Sequence, residues 1–192
     1  MPDTYTDDAP IATSKHSDAA VGVTTDLIDG QGGAITARAV TINRPASELY
    51  AYWRDFTNLP TFMDNVVSIS PIDGELSHWV VKAPGGKTVE WDARLTEDTP
   101  NELLAWTSEP GADVANSGRI EFRDAGARGT VVTATIAYDP PGGAIGKLIA
   151  KMFQREPAIQ ARRDLRRFKQ LMETGEIATS SRTQAQLQEE RA

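Results

Sequence analysis

The sequence predicts an α+β fold in which about seven antiparallel strands curl around one long C-terminal helix, with two short helices after the first strand. Three observations predict this fold. A strand runs directly into helical segments over residues 40–63, and residues 66–138 then alternate with the period of strands. Residues 144–174 return to helical spacing. Because no helical segment interrupts residues 66–138, we expect those strands to pair as simple hairpins.

The first strand and the two short helices are predicted within VTINRPASELYAYWRDFTNLPTFM, residues 40–63. Its first residues alternate between apolar and polar, and Pro45 ends the strand because proline has no N–H for the ladder. From Ala46 the apolar side chains follow helical spacing. Asn58 is predicted to cap the second short helix, with Pro60 in its first turn.

Six further strands are predicted between turn-forming residues. They are Val66–Pro71, Leu76–Lys82, Lys87–Glu97, Leu103–Ser108, Ser117–Arg123 and Thr130–Tyr138. The third of these alternates most regularly, since Val89, Trp91 and Leu95 share one face while charged and hydroxyl side chains share the other. One apolar and one polar face is typical of an antiparallel sheet.

The last element is a helix predicted over residues 144–174. Its apolar stripe consists of Ala150, Phe153, Pro157, Ala161, Leu165, Phe168 and Met172. We expect Pro157 to kink or split the helix near Glu156, and Gly175 to cap its C-terminus. A curved sheet cannot close tightly on a straight helix, so the space between them is the natural ligand cavity.

Charge and composition predict one domain with two tails. Residues 1–34 carry six aspartates and one lysine, and residues 175–192 carry a net charge of −1, so residues 35–174 hold only −1 of the total of −7. We predict an acidic disordered tail over 1–34, a ligand-binding domain over 35–174 and a second disordered tail over 175–192. The nearly neutral domain argues against nucleic-acid binding, which depends on phosphate neutralisation.

The residue content excludes several classes of site. The chain has no cysteine, which excludes disulfides and thiolate-bound metals. One histidine in the domain, His78, supplies no convergent metal ligands, and we predict no metal and no cofactor. No apolar run reaches the length of a signal peptide or a membrane span, which predicts a cytoplasmic protein.

The predicted ligand contacts are the large apolar side chains on the inner strand faces and on the helix stripe. They are Trp53, Trp91, Trp106, Phe122, Ile136, Phe153 and Phe168. Tyr50 and Tyr138 are possible polar anchors at the rim of the cavity. The alternative interpretation is that these aromatic residues form an ordinary core, with the tryptophan N–H groups bonded at its edge.

Candidate catalytic residues are few. His78, Tyr50, Arg119 and Tyr138 could move protons, although His78 alternates with Trp79 and should face away from it. Glu90 and Asp92 share a polar strand face, where we expect ion pairs with cross-strand residues such as Arg119 or Arg123.

A basic run lies on the last helix. It consists of Arg155, Arg162, Arg163, Arg166, Arg167 and Lys169. The run could make transient contact with an anionic membrane surface or an acidic partner, or it could be a solvated helix face that balances the acidic residues elsewhere.

Three segments resemble the START-like, or SRPBCC, superfamily, which includes polyketide cyclase/dehydrase and coenzyme Q-binding proteins. They are residues 43–63, 89–94 and 164–169, and the resemblance spans residues 35–174. It implies a helix-grip fold and a cavity for a hydrophobic ligand such as a quinone, a lipid or a polyketide-like compound. Because the superfamily contains carriers, enzymes and regulators, a carrier, a cyclase/dehydratase and a regulatory protein without ligand all stay open. Both a monomer and a dimer stay open as well.

Overall fold

A computed structural model describes residues 34–139 and 157–178 of the chain. Within these residues seven strands form one sheet beside two α-helices, a six-residue 3₁₀ helix and two three-residue 3₁₀ turns at Pro84–Gly86 and Gly126–Arg128. The elements are β1 Ala34–Ile42, α1 Ala46–Arg54, the 3₁₀ helix Phe56–Thr61, β2 Val66–Pro71, β3 Leu76–Ala83, β4 Lys87–Thr99, β5 Leu103–Ser108, β6 Ala115–Asp124, β7 Thr130–Asp139 and α2 Pro157–Thr174. The sheet order is β1-β7-β6-β5-β4-β3-β2, with every neighbouring pair antiparallel. The predicted fold class is confirmed.

Both edges of the sheet reach α2. On the β1 side, the Lys169 ammonium donates to the Thr41 carbonyl at 2.7 Å. On the other side, Arg167 Nη1 donates to the carboxylate of Asp64, which lies just before β2, at 2.8 Å. Because β1 and the turn before β2 lie at opposite edges of the sheet, the contact of Thr41 and Asp64 with one helix shows that the sheet curls around α2.

The C-terminus of α2 is held by the turn between β1 and α1. Arg44 donates from Nε to the Met172 carbonyl at 2.8 Å and from Nη2 to the Glu173 carbonyl at 3.0 Å. These are carbonyls of the last turn, which have no partner within the helix. Gly175 has a φ of 79° and its N–H donates to the Leu171 carbonyl at 2.8 Å, so the predicted cap is confirmed.

The capping prediction for the second short helix is wrong. The 3₁₀ helix begins at Phe56, and the side chain of Asp55 accepts from the Thr57 N–H at 3.1 Å. Asn58 lies inside the helix and donates from Nδ2 to the Tyr52 carbonyl at 3.1 Å. Aspartate and asparagine both cap helices, and Asp55 is the cap because it directly precedes the first turn.

Some predicted features fall outside the described residues. They include most of the N-terminal tail, the helix before Pro157 with its kink, Ala150, Phe153 and Arg155, and the end of the C-terminal tail. Of the described tail residues, Ile177 packs against the core. Arg162, Arg163 and Arg166 are exposed on α2. No described helix is both long enough and apolar enough to cross a membrane.

One carboxylate, Asp164, interrupts the buried side of α2. It lies between Ala161 and Leu165, which are both buried, and it accepts a hydrogen bond from Gln160 at 2.8 Å. Burial raises the pKa of Asp164 to about 7, and the negative charge of Asp64 acts in the same direction. The hydrogen bond and two arginines oppose the shift without cancelling it.

The Asp164→Asn variant should lose part of the pH dependence of stability. Since the folded pKa lies above the unfolded value, the protonated carboxyl stabilises the fold at low pH, and this contribution is lost as the pH rises through about 7. Urea unfolding of the variant should show a gain on the order of 2 kcal/mol over the parent at about pH 8 and little difference at about pH 3.5, below the unfolded pKa. Glu176→Gln, at an exposed position, is the control. If the free energy of unfolding depended on pH in the same way in the parent and in Asp164→Asn, the raised pKa of Asp164 would be contradicted.

Candidate functional site

Three tryptophans stack on the concave face of the sheet. Trp79 lies between Trp91 and Trp106, with ring centroids 6.1 and 5.9 Å apart and planes inclined by 16° and 18°. Strand pairing causes this, because Trp79 lies opposite Trp91 in the β3–β4 ladder and Trp106 lies opposite Leu95 in the β4–β5 ladder. Cross-strand aromatic pairs of this kind stabilise a sheet face.

Trp106 lies flat because its neighbour in β6 is a glycine. Gly118 is paired with Trp106, and a Cβ built on Gly118 would lie 2.5 Å from both Cε2 and Cη2 of the indole. The indole therefore occupies the space of the missing side chain. A single glycine inside a strand often marks such a close approach.

An open cleft of about 550 Å³ lies beside this stack. It is bounded by α1, the 3₁₀ helix, the β2–β3 hairpin and β4. Phe56, Ile69 and Leu95 provide apolar walls, and Tyr50, Arg54 and Ser77 are among the polar lining residues. Phe56 also contacts Trp79 and Trp106 edge-on at 5.6 and 5.8 Å, so it separates the cleft from the stack.

The predicted ligand contacts take different places. Trp53 and Phe168 are fully buried and pack edge-to-face at 5.6 Å in the core beneath α1. Trp106 and Phe122 are also buried, whereas Trp91 and Ile136 are partly exposed. Among the residues that the structure describes, none of these predicted ligand contacts lines the cleft. Their involvement in binding stays a prediction.

Of the predicted polar anchors, Tyr50 lines the cleft and Tyr138 does not. Tyr138 is buried with Val81, Val89 and Val114 in a second apolar cluster, and burial raises its pKa. Tyr50 donates its hydroxyl proton to the Asp98 carboxylate. Burial and this contact raise the pKa of Tyr50, so the phenol is protonated at neutral pH.

The cleft walls formed by Phe56, Ile69 and Leu95 were not predicted as ligand contacts. Leu95 could have been found, since it shares the apolar strand face with Trp91. Phe56 continues the helical spacing of α1 but lies two residues past its end, at the first position of the 3₁₀ helix, and only the folded chain brings it over the stack.

His78 and Arg119 both lie on the convex face. His78 Nδ1 lies 2.7 Å from Asp92 Oδ1, while His78 Nε2 lies 3.6 Å from the Glu90 carboxylate. The predicted pairing of these two carboxylates with Arg119 or Arg123 is therefore wrong, because the β3–β4 register places His78 directly opposite Asp92.

Arg119 instead pairs with Glu97 at 3.3 Å and with Glu121 at 3.5 Å. Neither His78 nor Arg119 lines the cleft. In residues 34–139 and 157–178, no group of three or more histidines and carboxylates is arranged to hold a metal ion.

Known proteins resemble this chain in sequence and in fold. The family model described as polyketide cyclase / dehydrase and lipid transport matches residues 42–166. A Deinococcus radiodurans protein of known structure is 41% identical, covers 74% of this chain and 99% of its own, and has a TM-score of 0.62.

Two further matches are more distant or partial. The Zhui aromatase/cyclase from Streptomyces sp. R1128 is 12% identical with a TM-score of 0.60, covering 77% of this chain and all of its own, which shows the fold alone. An uncharacterized 17.2 kDa protein of Streptomyces lincolnensis is 32% identical over 84 residues, which are 44% of this chain and 55% of the relative's length. The chain therefore belongs to the polyketide cyclase / dehydrase and lipid transport family.

Proposed function

We propose that this protein binds a small hydrophobic ligand in the cleft between α1 and the β2–β3 hairpin. The observation that carries the proposal is the cleft itself, with about 550 Å³ of space and apolar walls of Phe56, Ile69 and Leu95. Ligand sites are typically concave spaces of a few hundred Å³, mostly apolar, with a few polar groups. The family description, which includes lipid transport, supports the same class of function.

Carriage or storage of the ligand is better supported than chemical conversion. Two candidate proton carriers, His78 and Arg119, lie on the convex face, and the phenol of Tyr50 is engaged by Asp98. General acid–base catalysis needs a titratable group within hydrogen-bond reach of the reacting atom. A cyclase or dehydratase activity is the second proposal, supported by the family description and by the fold shared with an aromatase/cyclase.

Filling the cleft from an exposed position should weaken ligand binding without disturbing the core. Ala51 is exposed on α1 and lines the cleft, so Ala51→Tyr places a ring in the space that the ligand needs. Acetylnaphthalene, a small apolar molecule, serves as the probe ligand. We expect the affinity of the Ala51→Tyr variant for this probe, measured by calorimetry, to fall at least about tenfold relative to the parent protein.

The matched control is Ala127→Tyr. Ala127 is also exposed, and it lines a separate depression of about 460 Å³ near the β6–β7 hairpin. The affinity of the Ala127→Tyr variant for acetylnaphthalene should equal that of the parent protein. Equal affinities of parent and Ala51→Tyr would place the ligand elsewhere and contradict the proposal.

A further inference from the structure

Two exposed arginines on α2 have no partner within the part of the chain that the structure describes. Arg162 and Arg166 are four residues apart, so they lie on one side of the helix. No other described residue forms a hydrogen bond or an ion pair with either of them. Lys169, further along the helix, is by contrast paired with Glu173 at 3.5 Å. The two arginine charges are therefore left unbalanced on the surface.

The side of α2 that carries these arginines faces β1. Lys169 donates to the Thr41 carbonyl of β1 at 2.7 Å. Arg162 precedes Lys169 by seven residues, which is close to two full turns, and so lies on the same side of the helix. Arg167 points instead to the opposite edge of the sheet, where it donates to Asp64.

β1 and α2 run in the same direction. Thr41 of β1 is bonded to Lys169 of α2. Two residues later in the strand, Asn43 donates its N–H at 2.7 Å to Glu173, which lies four residues later in the helix. Two strand residues and four helix residues both advance by about 6 Å, so the two elements stay level with each other. Counting back along both therefore relates the start of β1 to the first turns of α2.

Arg38 of β1 is level with Arg162 and extends the positive charge. Arg162 lies about 11 Å before Lys169 along the helix, and the three strand residues from Arg38 to Thr41 span about 10 Å. Arg38 is on the strand face that carries the buried residues of β1, and it has no ion pair among the described residues. Arg38, Arg162 and Arg166 together form a basic stripe along the junction of β1 and α2.

The acidic N-terminal tail joins the sheet at one end of this basic stripe. It enters β1 at Ala34, four strand residues before the level of Arg162, which is a distance of about 13 Å. Asp29 lies five residues before Ala34 and Asp26 lies eight before it, so an extended chain spans about 17 Å and about 27 Å from that point. Three glycines within residues 30–33 permit the chain to turn back along the helix. Both aspartates are therefore within reach of the basic stripe.

An anionic membrane fits the basic stripe less well than this tail does. Basic clusters that bind anionic lipids contain about four to eight lysines and arginines, which is more than the basic stripe has. The chain as a whole carries a net charge of −7, which opposes its approach to an anionic surface. The tail, by contrast, is tethered a few residues away, and a short tether gives an effective concentration in the millimolar range.

We propose that residues 26–29 of the N-terminal tail dock on the basic stripe, with the carboxylates of Asp26 and Asp29 pairing with Arg162 and Arg166. Arg38 adds positive charge at the start of the same surface. The acidic partner of α2 is then a segment of the same chain, which covers the arginines that the domain leaves unpaired. The contact is separate from the ligand cleft and does not depend on the proposed function.

Paramagnetic relaxation enhancement in the full chain measures this contact. Because the chain has no cysteine, Thr24→Cys gives a single attachment site for a nitroxide label next to the docking segment. The label should enhance the relaxation of amide protons in residues 160–167 of α2. Raising the salt from about 0.02 M to about 0.5 M shortens the Debye length from about 20 Å to about 4 Å, and the enhancement should fall at least about threefold. An enhancement that is absent at low salt, or that does not depend on salt, would overturn the proposal.

Charge variants of the labelled chain test the pairing itself. Asp26→Asn/Asp29→Asn, which leaves the domain untouched, should lower the enhancement in α2 at least about threefold, the scale expected for the loss of two exposed ion pairs. Arg162→Gln/Arg166→Gln should lower it to the same extent. Reversing the charge of all four residues in one chain should restore the enhancement, which a purely structural effect of the substitutions would not do.

The matched control is Arg123→Gln/Arg128→Gln. It removes two exposed positive charges from the β6–β7 hairpin and should leave the enhancement in α2 unchanged. An enhancement that survives in Arg162→Gln/Arg166→Gln would overturn the proposal. If that variant also lost binding to phosphatidylglycerol vesicles that the parent shows, the partner of the basic stripe would be a lipid surface instead.

Discussion

Adding one methyl group at Gly118 is expected to destabilise the fold by about 3 kcal/mol, at the upper end of typical overpacking effects. The added Cβ would lie 2.5 Å from two atoms of the Trp106 indole, which is itself held between Trp79 and Phe56. To admit the methyl group, either the strand or the packed indole has to shift. Urea unfolding of Gly118→Ala against the parent measures the effect.

The cause can be isolated with a second substitution. In Gly118→Ala/Trp106→Leu the clash is absent, so the double variant should be more stable than the sum of the two single effects by about 1–2 kcal/mol. Gly74→Ala is the control, since no atom lies within 4 Å of a Cβ built there. Additive effects of the two substitutions would show that the indole does not occupy the space above Gly118.

Removal of the guanidinium of Arg44 is expected to cost about 2 kcal/mol. Arg44 donates to two carbonyls in the last turn of α2, where its positive charge also meets the negative end of the helix dipole. In Arg44→Met both charge-assisted hydrogen bonds are lost. Such bonds contribute about 1.5–3 kcal/mol each in net terms, and the 40% exposure of the Arg44 side chain lowers the total because water can replace part of them. Thermal and urea unfolding should both report the loss.

Arg44→Lys should recover only part of the stability, because an ammonium cannot reach two carbonyls with the geometry of a planar fork. Arg123→Met, at an exposed position in β6, is the matched control and should leave stability nearly unchanged. Equal stabilities of Arg44→Met and Arg123→Met would show that the β1–α1 turn does not hold the end of α2.

The order of the elements could be predicted from the sequence because periodicity is a local property. Lys87–Thr99 alternates strictly up to Leu95, and the observed burial of Val89, Ala93 and Leu95 follows that alternation. The cap at Gly175 was equally predictable, since glycine after a helical stripe is a local signal.

Features that depend on a partner strand could not be predicted in the same way. The bulge before Asp98 is a shift relative to β5, and alternation within β4 alone would place Glu97 on the inner face. The contact of Gly118 with Trp106 likewise joins two strands. The cleft therefore has walls that the strand pattern partly predicts, and a polar edge at Asp98 that only the pairing reveals.

The raised pKa of Asp164 also has a non-local cause. In the sequence, Asp164 is one acidic residue among the arginines of a helix, and its position beside the apolar stripe is the only sign of burial. The approach of Asp64 from the opposite edge of the sheet is visible only in the folded chain.

Native mass spectrometry of the full chain, purified from its own cells, tests most directly whether the cleft holds a hydrophobic ligand. The account predicts a fraction of the protein with a small apolar compound bound, lost on unfolding and displaced by added acetylnaphthalene. The Ala51→Tyr variant, prepared identically, should carry none. The account would be contradicted if the parent protein showed the mass of the unliganded chain alone and also took up no added acetylnaphthalene.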